Sequence, residues 1–489
     1  MENENIGIRS KTIHSALWKF TERIGAQIVT LVVSIILARL LTPDDYSVVS
    51  VVTIFFAFAN VFISGGFNSA LIQKKDADDE DYSTVLHISL IISAIIYVIL
   101  FFTAPLVADI YEQPMLVAVI RIMSLSLPIT AVKSIWSAKI SSSLEFKGFF
   151  VSTLIATLVS AVIGIVMAYM GAGAWALVVQ QMSNTIISTV ILMITTRVHI
   201  VMRISLSRFR SLFKYGWKVF VSSIIGRVYV ESVPIVVGYK YSSADLAYYT
   251  KGRSFPELIM SSSISTFSAV LFPVLAKVQD SKERLLYGTR LFMRITSFLS
   301  MPLMFGLFAI SENFVIVLLT DKWLPIVPYL KIFCITSMFE MVHIGNCETI
   351  KAMGRSDIYL IMEIIKKTGY FITIILFLIF TDSPQVLALA FVVCTLIALI
   401  VNLIPNTKLI NYKIIHQILD LLPNLITAGV MCVCVTFIGM LEMNRVLLLG
   451  IQIASGAMIY FVLNILIRNP SLRYMFEIMK SLLKKRREG

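Results

Sequence analysis

The sequence predicts an all-α polytopic membrane protein of about fourteen transmembrane helices. Three observations predict it: the composition, the succession of long apolar runs, and the alternation of charge in the connections. Of 489 residues, 57% are hydrophobic and only 15% charged, against about 25% charged in ordinary soluble domains. Water cannot solvate so much apolar surface, and a soluble globular fold is excluded. The net charge of +13 does not point to a nucleic-acid partner, because the basic residues lie between apolar runs or in the tail, with no aromatic-interleaved patch. The five cysteines, Cys334, Cys347, Cys394, Cys432 and Cys434, lie in apolar runs without metal-ligand spacing and read as small buried side chains. The polar start MENENIGIRSKTIH lacks a short apolar core with a small-residue cleavage site, so no removable signal peptide is expected.

A spanning helix needs roughly 20 apolar residues. Such runs occur near 16–41 and 46–66, which flank LTPDDYS, and near 84–107 and 116–138, which flank ADIYEQP. The runs at 149–170 and 174–196 are separated by GAG, and those at 216–238 and 246–272 follow. Then come 288–310, 325–350, 358–380 and 386–406, the last two separated by TDSPQ, and finally 419–440 and 445–467. The two weakest expected spans are 116–138, which contains Arg121, Pro128 and Lys133, and 325–350, which contains Glu340, His343 and Glu348.

Lys and Arg collect on the cytoplasmic side of membrane proteins, and here they collect in every second connection. With the amino terminus inside, the even connections carry Lys74 and Lys75; Lys139 and Lys147; Arg197, Arg203, Arg208, Arg210 and Lys214; Lys277, Lys282 and Arg284; Lys351 and Arg355; Lys408 and Lys413. The tail adds Lys480, Lys484, Lys485, Arg486 and Arg487, whereas the odd connections hold single exceptions at Lys240, Lys322 and Arg445. An even number of spans then places both termini in the cytoplasm.

An internal repeat supports this register. ARLLTPDDYSVVS (38–50) resembles GYKYSSADLAYYT (238–250), setting Asp45 opposite Asp245. Both segments start from the same side in the register above, so two six-span units are expected as parallel pseudo-symmetric repeats around a central cavity. The expected organisation is an N-lobe at 1–214, a C-lobe at 215–410, two further spans within 411–467 and a basic cytoplasmic tail at 468–489.

Ionisable residues at membrane depth cost several kcal/mol unless they face protein or water. Lys19, Arg23, Gln27, Thr30 and Ser34 recur at helical spacing in the first span, and Tyr249, Arg253, Glu257 and Ser261 in the eighth. The seventh carries Ser223, Arg227 and Glu231, the tenth Glu340, His343 and Cys347, and the eleventh Glu363, Lys366 and Lys367. Together they imply a hydrated interior. Each also has a structural reading. Lys19, Lys139 and Lys351 lie near span ends and can snorkel. Arg227 with Glu231, and Glu363 with Lys367, can neutralise one another a turn apart, and His343 can be a hydrogen-bonded interior histidine. Arg23 and Arg253 open the two repeats and keep their charge under all physiological conditions. If transport draws on an ion gradient, Glu231, Glu257, Glu340 and Glu363 are the candidate coupling carboxylates.

The sequence has no Gly-rich phosphate loop, no H-E-x-x-H and no Ser nucleophile elbow. Its external connections are too short for the acidic residues and acceptor pocket of a membrane glycosyltransferase or polymerase.

The run ALWKFTERIGAQIVTLVVSIILARLLTPDDYSVVSVV resembles the polysaccharide-biosynthesis flippases of the multidrug/oligosaccharidyl-lipid/polysaccharide exporter superfamily. So do LIQKKDADDEDYSTV, SSSLEFKGF, ADLAYYTKGRSFPELI, ISTFSAVLFPVLAKVQD and TDKWLPIVPYLKIF. The nearest branch is the one handling O-antigen, colanic-acid and teichuronic-acid type repeat units. The resemblance implies two six-helix lobes around an alternately opening cavity, with two extra carboxy-terminal helices. It implies a multi-pass protein of the bacterial cytoplasmic (inner) membrane that is not an enzyme and uses no cofactor. The implied cargo is an undecaprenyl-pyrophosphate-linked oligosaccharide, moved from the cytoplasmic to the outer leaflet, with the polysaccharide polymerase machinery as partner. Substrate contacts are implied at Arg23 and Arg253, with Lys19, Gln27 and Tyr249 beside them. Glu22 next to Arg23, and Glu257 one turn from Arg253, depart from a purely cationic cavity. Three alternatives stand: a cation-coupled multidrug exporter of the same superfamily, which would want an acidic cavity; a membrane glycan polymerase or transferase; and a non-transporting membrane scaffold.

Overall fold

The structure, a computed structural model, describes residues 25–475 apart from 26, 65, 75–76, 144–145, 197, 199, 202–203 and 277. Regular structure among the described residues is entirely helical, without a strand, as expected where backbone N–H and C=O groups must be satisfied without water. Eleven helices of the described residues are long and apolar enough to cross a membrane. Large apolar side chains face outward along them, Phe102 74% and Ile194 76% exposed, which lipid accepts and water does not. The three remaining expected spans also carry helix, at Gln27–Leu40, Ser243–Ala276 and Ser356–Phe380. Residues 16–24 of the first lie outside the described residues, and the other two carry three charged residues each within the expected span. The all-α polytopic fold expected from the sequence is the fold observed.

The chain divides into two compact units, Met1–Thr250 and Lys251–Gly489. In the first unit lie α1 (Gln27–Leu40), α2 (Pro43–Ser64), α3 (Phe67–Gln73), α4 (Asp79–Ile110), α5 (Met115–Ser124), α6 (Ser126–Ser143), α7 (Phe146–Tyr169), α8 (Ala174–Thr195), α9 (Leu206–Lys240) and the first turns of α10 (Ser243–Ala276). The rest of α10 belongs to the second unit. It is followed by α11 (Lys282–Leu319), a 3-10 turn (Asp321–Ile326), α12 (Val327–Ser337), α13 (Glu340–Ala352), α14 (Ser356–Phe380), α15 (Pro384–Leu409), α16 (Ile414–Ile438) and α17 (Arg445–Leu466). Four of the five cysteines are buried and Cys434 is half-buried, all as free thiols.

Within the first unit, alternate connections gather at opposite ends. At one end, Arg208 in the first turn of α9 reaches Asp78 at 2.7 Å and Glu80 at 2.9 Å, before and within the first turn of α4. Lys74 meets buried Asp81 at 2.5 Å, the Trp136 indole donates to the Thr196 carbonyl at 3.0 Å, and the Val201 N–H donates to Ser83 Oγ at 2.8 Å. Asp78 caps α4, accepting from the Asp81 N–H at 3.0 Å while Asp81 accepts from the Asp78 N–H at 3.2 Å. The Asp81 N–H, and then the Arg208 guanidinium, hold the Asp78 carboxyl below the usual carboxylate range. These are the second, fourth and sixth connections, the basic set.

At the other end, Gln113 in the third connection donates to Ser47 Oγ at 2.7 Å and to Ser243 Oγ at 2.6 Å. Gly173 in the fifth, at φ +57°, packs so closely on Asp45 that a Cβ there would lie 2.8 Å from Oδ1. Such sorting is what a chain that crosses a membrane at each helix requires. The second unit sorts likewise. Near the starts of α11 and α16, Arg290 pairs with Asp420 at 2.7 Å, while near the end of α11 Arg445 donates to Asn313 at 2.8 Å.

The repeat proves to be a repeated helix start. Thr42 and Asp45 cap α2 reciprocally: the Asp45 N–H donates to Thr42 Oγ1 at 3.2 Å and the Thr42 N–H to Asp45 Oδ2 at 2.9 Å. Ser242 and Asp245 do the same for α10, the Asp245 N–H donating to Ser242 Oγ at 2.9 Å and that hydroxyl to Asp245 Oδ2 at 2.6 Å. The two starts meet in the first unit, where Ser50 and Thr250 lie 3.1 Å apart.

Candidate functional site

The segment KGRSFPEL of α10 is the centre of the candidate site. Gly252 lets the helix press against the entry to α12, since a Cβ there would lie 2.7 Å from Tyr329 Cβ and 3.2 Å from the Ile326 carbonyl. That approach buries Lys251, 7% exposed, between the rings of Phe255 and Trp323, with Nζ 5.7 and 5.9 Å from their centroids. Trp323 belongs to the D-K-W-L-P string and is fully buried. The two strings noted in the sequence are therefore one packed element. Arg253 points to the other side, its guanidinium 6.0 Å from the Phe333 ring and its Nε 2.5 Å from Glu257 Oε1. The Glu257 side chain remains 51% exposed. Glu340, at the start of α13, lies within electrostatic reach of both Glu257 and Arg253. The second unit thus brings together Arg253, Glu257 and Glu340, three of the residues singled out in the sequence, and adds Lys251, which sequence reasoning passed over.

The other candidates fall elsewhere. Lys19 and Arg23 lie outside the described residues, and Gln27 is a half-buried residue of α1. Tyr249 is fully buried at the end of the first unit. Glu231 pairs with Arg227 at 3.2 Å, one turn away as expected. Glu363 is held by Lys366, three residues on, at 2.5 Å rather than by Lys367. His343 proves to be a hydrogen-bonded interior histidine: Nδ1 accepts from Asn402 Nδ2 at 2.9 Å, in line with Asn406 Nδ2 donating to Asn346 Oδ1 at 2.6 Å.

Sequence reasoning also missed a cluster around Asp420. This carboxylate accepts from Arg290 Nε at 2.7 Å, from Arg294 Nη2 at 2.5 Å and from the Tyr412 hydroxyl at 2.6 Å. The available signal was the Arg290 and Arg294 pair four residues apart at the start of an apolar run, with a lone aspartate opening another.

The family model described as polysaccharide biosynthesis protein matches residues 36–328. The succinoglycan biosynthesis transport protein ExoT of Rhizobium meliloti (strain 1021) is 25% identical over 317 residues, 65% of this chain and 64% of its own. The chain thus spans just under two thirds of that relative's length. The lipopolysaccharide biosynthesis protein WzxC of Escherichia coli (strain K12) is 22% identical over 355 residues, 72% of each chain. Among solved structures, the lipid II flippase MurJ in an inward closed conformation superposes with a TM-score of 0.74 at 16% identity, over 93% of this chain and 99% of its own, and so shares the fold. The family match runs from the end of α1 into α12 and takes in both capped helix starts and the packed KGR and DKWLP strings, and the chain belongs to the polysaccharide biosynthesis protein family.

Proposed function

We propose that this protein flips a lipid pyrophosphate-linked oligosaccharide repeat unit from the cytoplasmic to the outer leaflet for surface polysaccharide biosynthesis. The observation that carries the reading is the family match over 36–328 in a chain with eleven membrane-long helices among its described residues. The relatives named above as transport and biosynthesis proteins support transport rather than catalysis. In this reading the lobes are 1–214 and 215–410 with two added spans in 411–467, and both termini lie in the cytoplasm of a bacterial cell. Undecaprenyl pyrophosphate is the lipid carrier, and the polymerase machinery takes up the product outside.

Arg23 and Arg253 are the proposed diphosphate ligands, with Lys19, Gln27 and Tyr249 as neighbours. A diphosphate entering a bilayer-depth cavity loses hydration that fixed positive charge replaces, and the guanidinium fork matches phosphate oxygens. The Phe333 ring, 6.0 Å from the Arg253 guanidinium, lies within cation–π reach of it. Of the four carboxylates proposed for coupling, Glu231, Glu257 and Glu363 are each held by a cation. Glu340 forms no ion pair among the described residues, which makes it the foremost of the four. A deletion strain tests the function: a lipid-linked repeat unit should accumulate in the cytoplasmic leaflet. Unimpaired export, with no such accumulation, would reject it.

A further inference from the structure

The Asp420 cluster borders a cavity of about 320 Å³ that plays no part in the site described above. Its walls are Glu283, Leu286, Tyr287, Arg290, Leu291 and Arg294 of α11, and Tyr474 beyond α17. Asp420 occupies Nε and Nη2 of both arginines. One carboxylate cannot neutralise two guanidinium groups, and Nη1 of each has no hydrogen-bond partner among the described residues. Glu283, exposed at the rim, is outweighed by Lys282 and Arg284 on either side of it.

The depth of the cavity identifies its occupant. α11 has 38 residues, about 57 Å of helix, against a hydrocarbon layer of about 30 Å. Its first turns therefore stand at headgroup level. Tyr287 is 60% exposed there, an amphipathic ring of the type that anchors at this interface. Inorganic phosphate would gain nothing from Leu286, Leu291 and the tyrosine rings, whereas the glycerol and upper acyl carbons of a lipid would pack on them.

We propose that this cavity seats the phosphodiester headgroup of an anionic phospholipid, with Arg290 and Arg294 donating through Nη1. The site is independent of the cargo reading, since its residues are none of those assigned to the diphosphate. The test uses the full chain in nanodiscs of phosphatidylcholine, with or without phosphatidylglycerol, and inorganic phosphate as a separate probe. Phosphatidylglycerol should be retained in native mass spectrometry and should raise the unfolding temperature, and inorganic phosphate should do neither. Tyr287→Glu puts a carboxylate at the mouth without touching the pairs to Asp420. It should lower phosphatidylglycerol retention about tenfold, through the repulsion that the added carboxylate exerts on the phosphodiester, and leave the unfolding temperature in pure phosphatidylcholine unchanged. Retention undiminished by Tyr287→Glu would overturn the site. Equal stabilisation by inorganic phosphate in pure phosphatidylcholine would overturn the lipid assignment.

Discussion

At the scale of single residues, Arg253 is the side chain on which the functional reading turns. Its bond to Glu257, one turn away, has the arginine side chain 24% and the glutamate side chain 51% exposed, and partly exposed pairs of that kind contribute about 0–1 kcal/mol. Stability therefore has little stake in Arg253, while a pyrophosphate would have much. Arg253→Ala should leave abundance and unfolding temperature near the parent values and reduce flipping in proteoliposomes at least tenfold, the loss expected on the order of one charge-assisted hydrogen bond. Arg253→Lys should rescue poorly, because a point charge lacks the fork. A drop in abundance with Arg253→Ala, restored by adding Glu257→Gln, would make the arginine structural instead. Arg253 was legible in the sequence because a fixed charge in an apolar run is costly wherever it points. Lys251, two residues earlier, was not. Its significance arises from Trp323 and Phe255 closing over it, and Trp323 arrives from a distant part of the chain.

At the scale of elements, the sequence repeat has a plain physical meaning. Thr42 with Asp45, and Ser242 with Asp245, satisfy amide groups that the first turns of α2 and α10 leave without helical partners. Thr42→Ala and Ser242→Ala should each destabilise the protein by about 1 kcal/mol, read as a lower unfolding temperature. A shift from only one of them would show that the two starts are not energetically equivalent. The matching aspartates were visible in the sequence; that Ser50 and Thr250 would then touch was not, because it depends on how two hairpins pack. The two weakest expected spans, 116–138 and 325–350, also have a structural counterpart. Each folds as a broken helix, α5 to α6 at Leu125 and α12 to α13 at Met338 and Phe339. Serine clusters and a proline near the first break, and Glu340 beside the second, lowered the apolar content that a window of sequence registers, and the same residues mark where the helical ladder is interrupted.

At the scale of the whole molecule, the succession of apolar helices was legible because apolar length is a property of the local sequence, and the alternation of the connections because charge alternates with it. The structure adds a condition that charge alone does not supply. In the first unit the second, fourth and sixth connections touch one another, and the first, third and seventh share Gln113 or the Ser50–Thr250 contact. A single miscounted span would have put a basic connection among the acidic ones. The remaining choice is which end faces the cytoplasm; the positive-inside rule predicts the basic end, and labelling tests that prediction. The five native cysteines are buried or half-buried, so they can be replaced by alanine or serine before single cysteines are introduced. Cysteine at Arg208 or Lys282 should resist a membrane-impermeant maleimide in intact cells and react in inverted vesicles, and cysteine at Glu112 or Asp382 should do the reverse. Labelling of residue 208 or 282 from outside would reverse the orientation of its unit. It would also remove the basis for cytoplasmic loading, since cargo assembled inside the cell would then meet the wrong face of the protein.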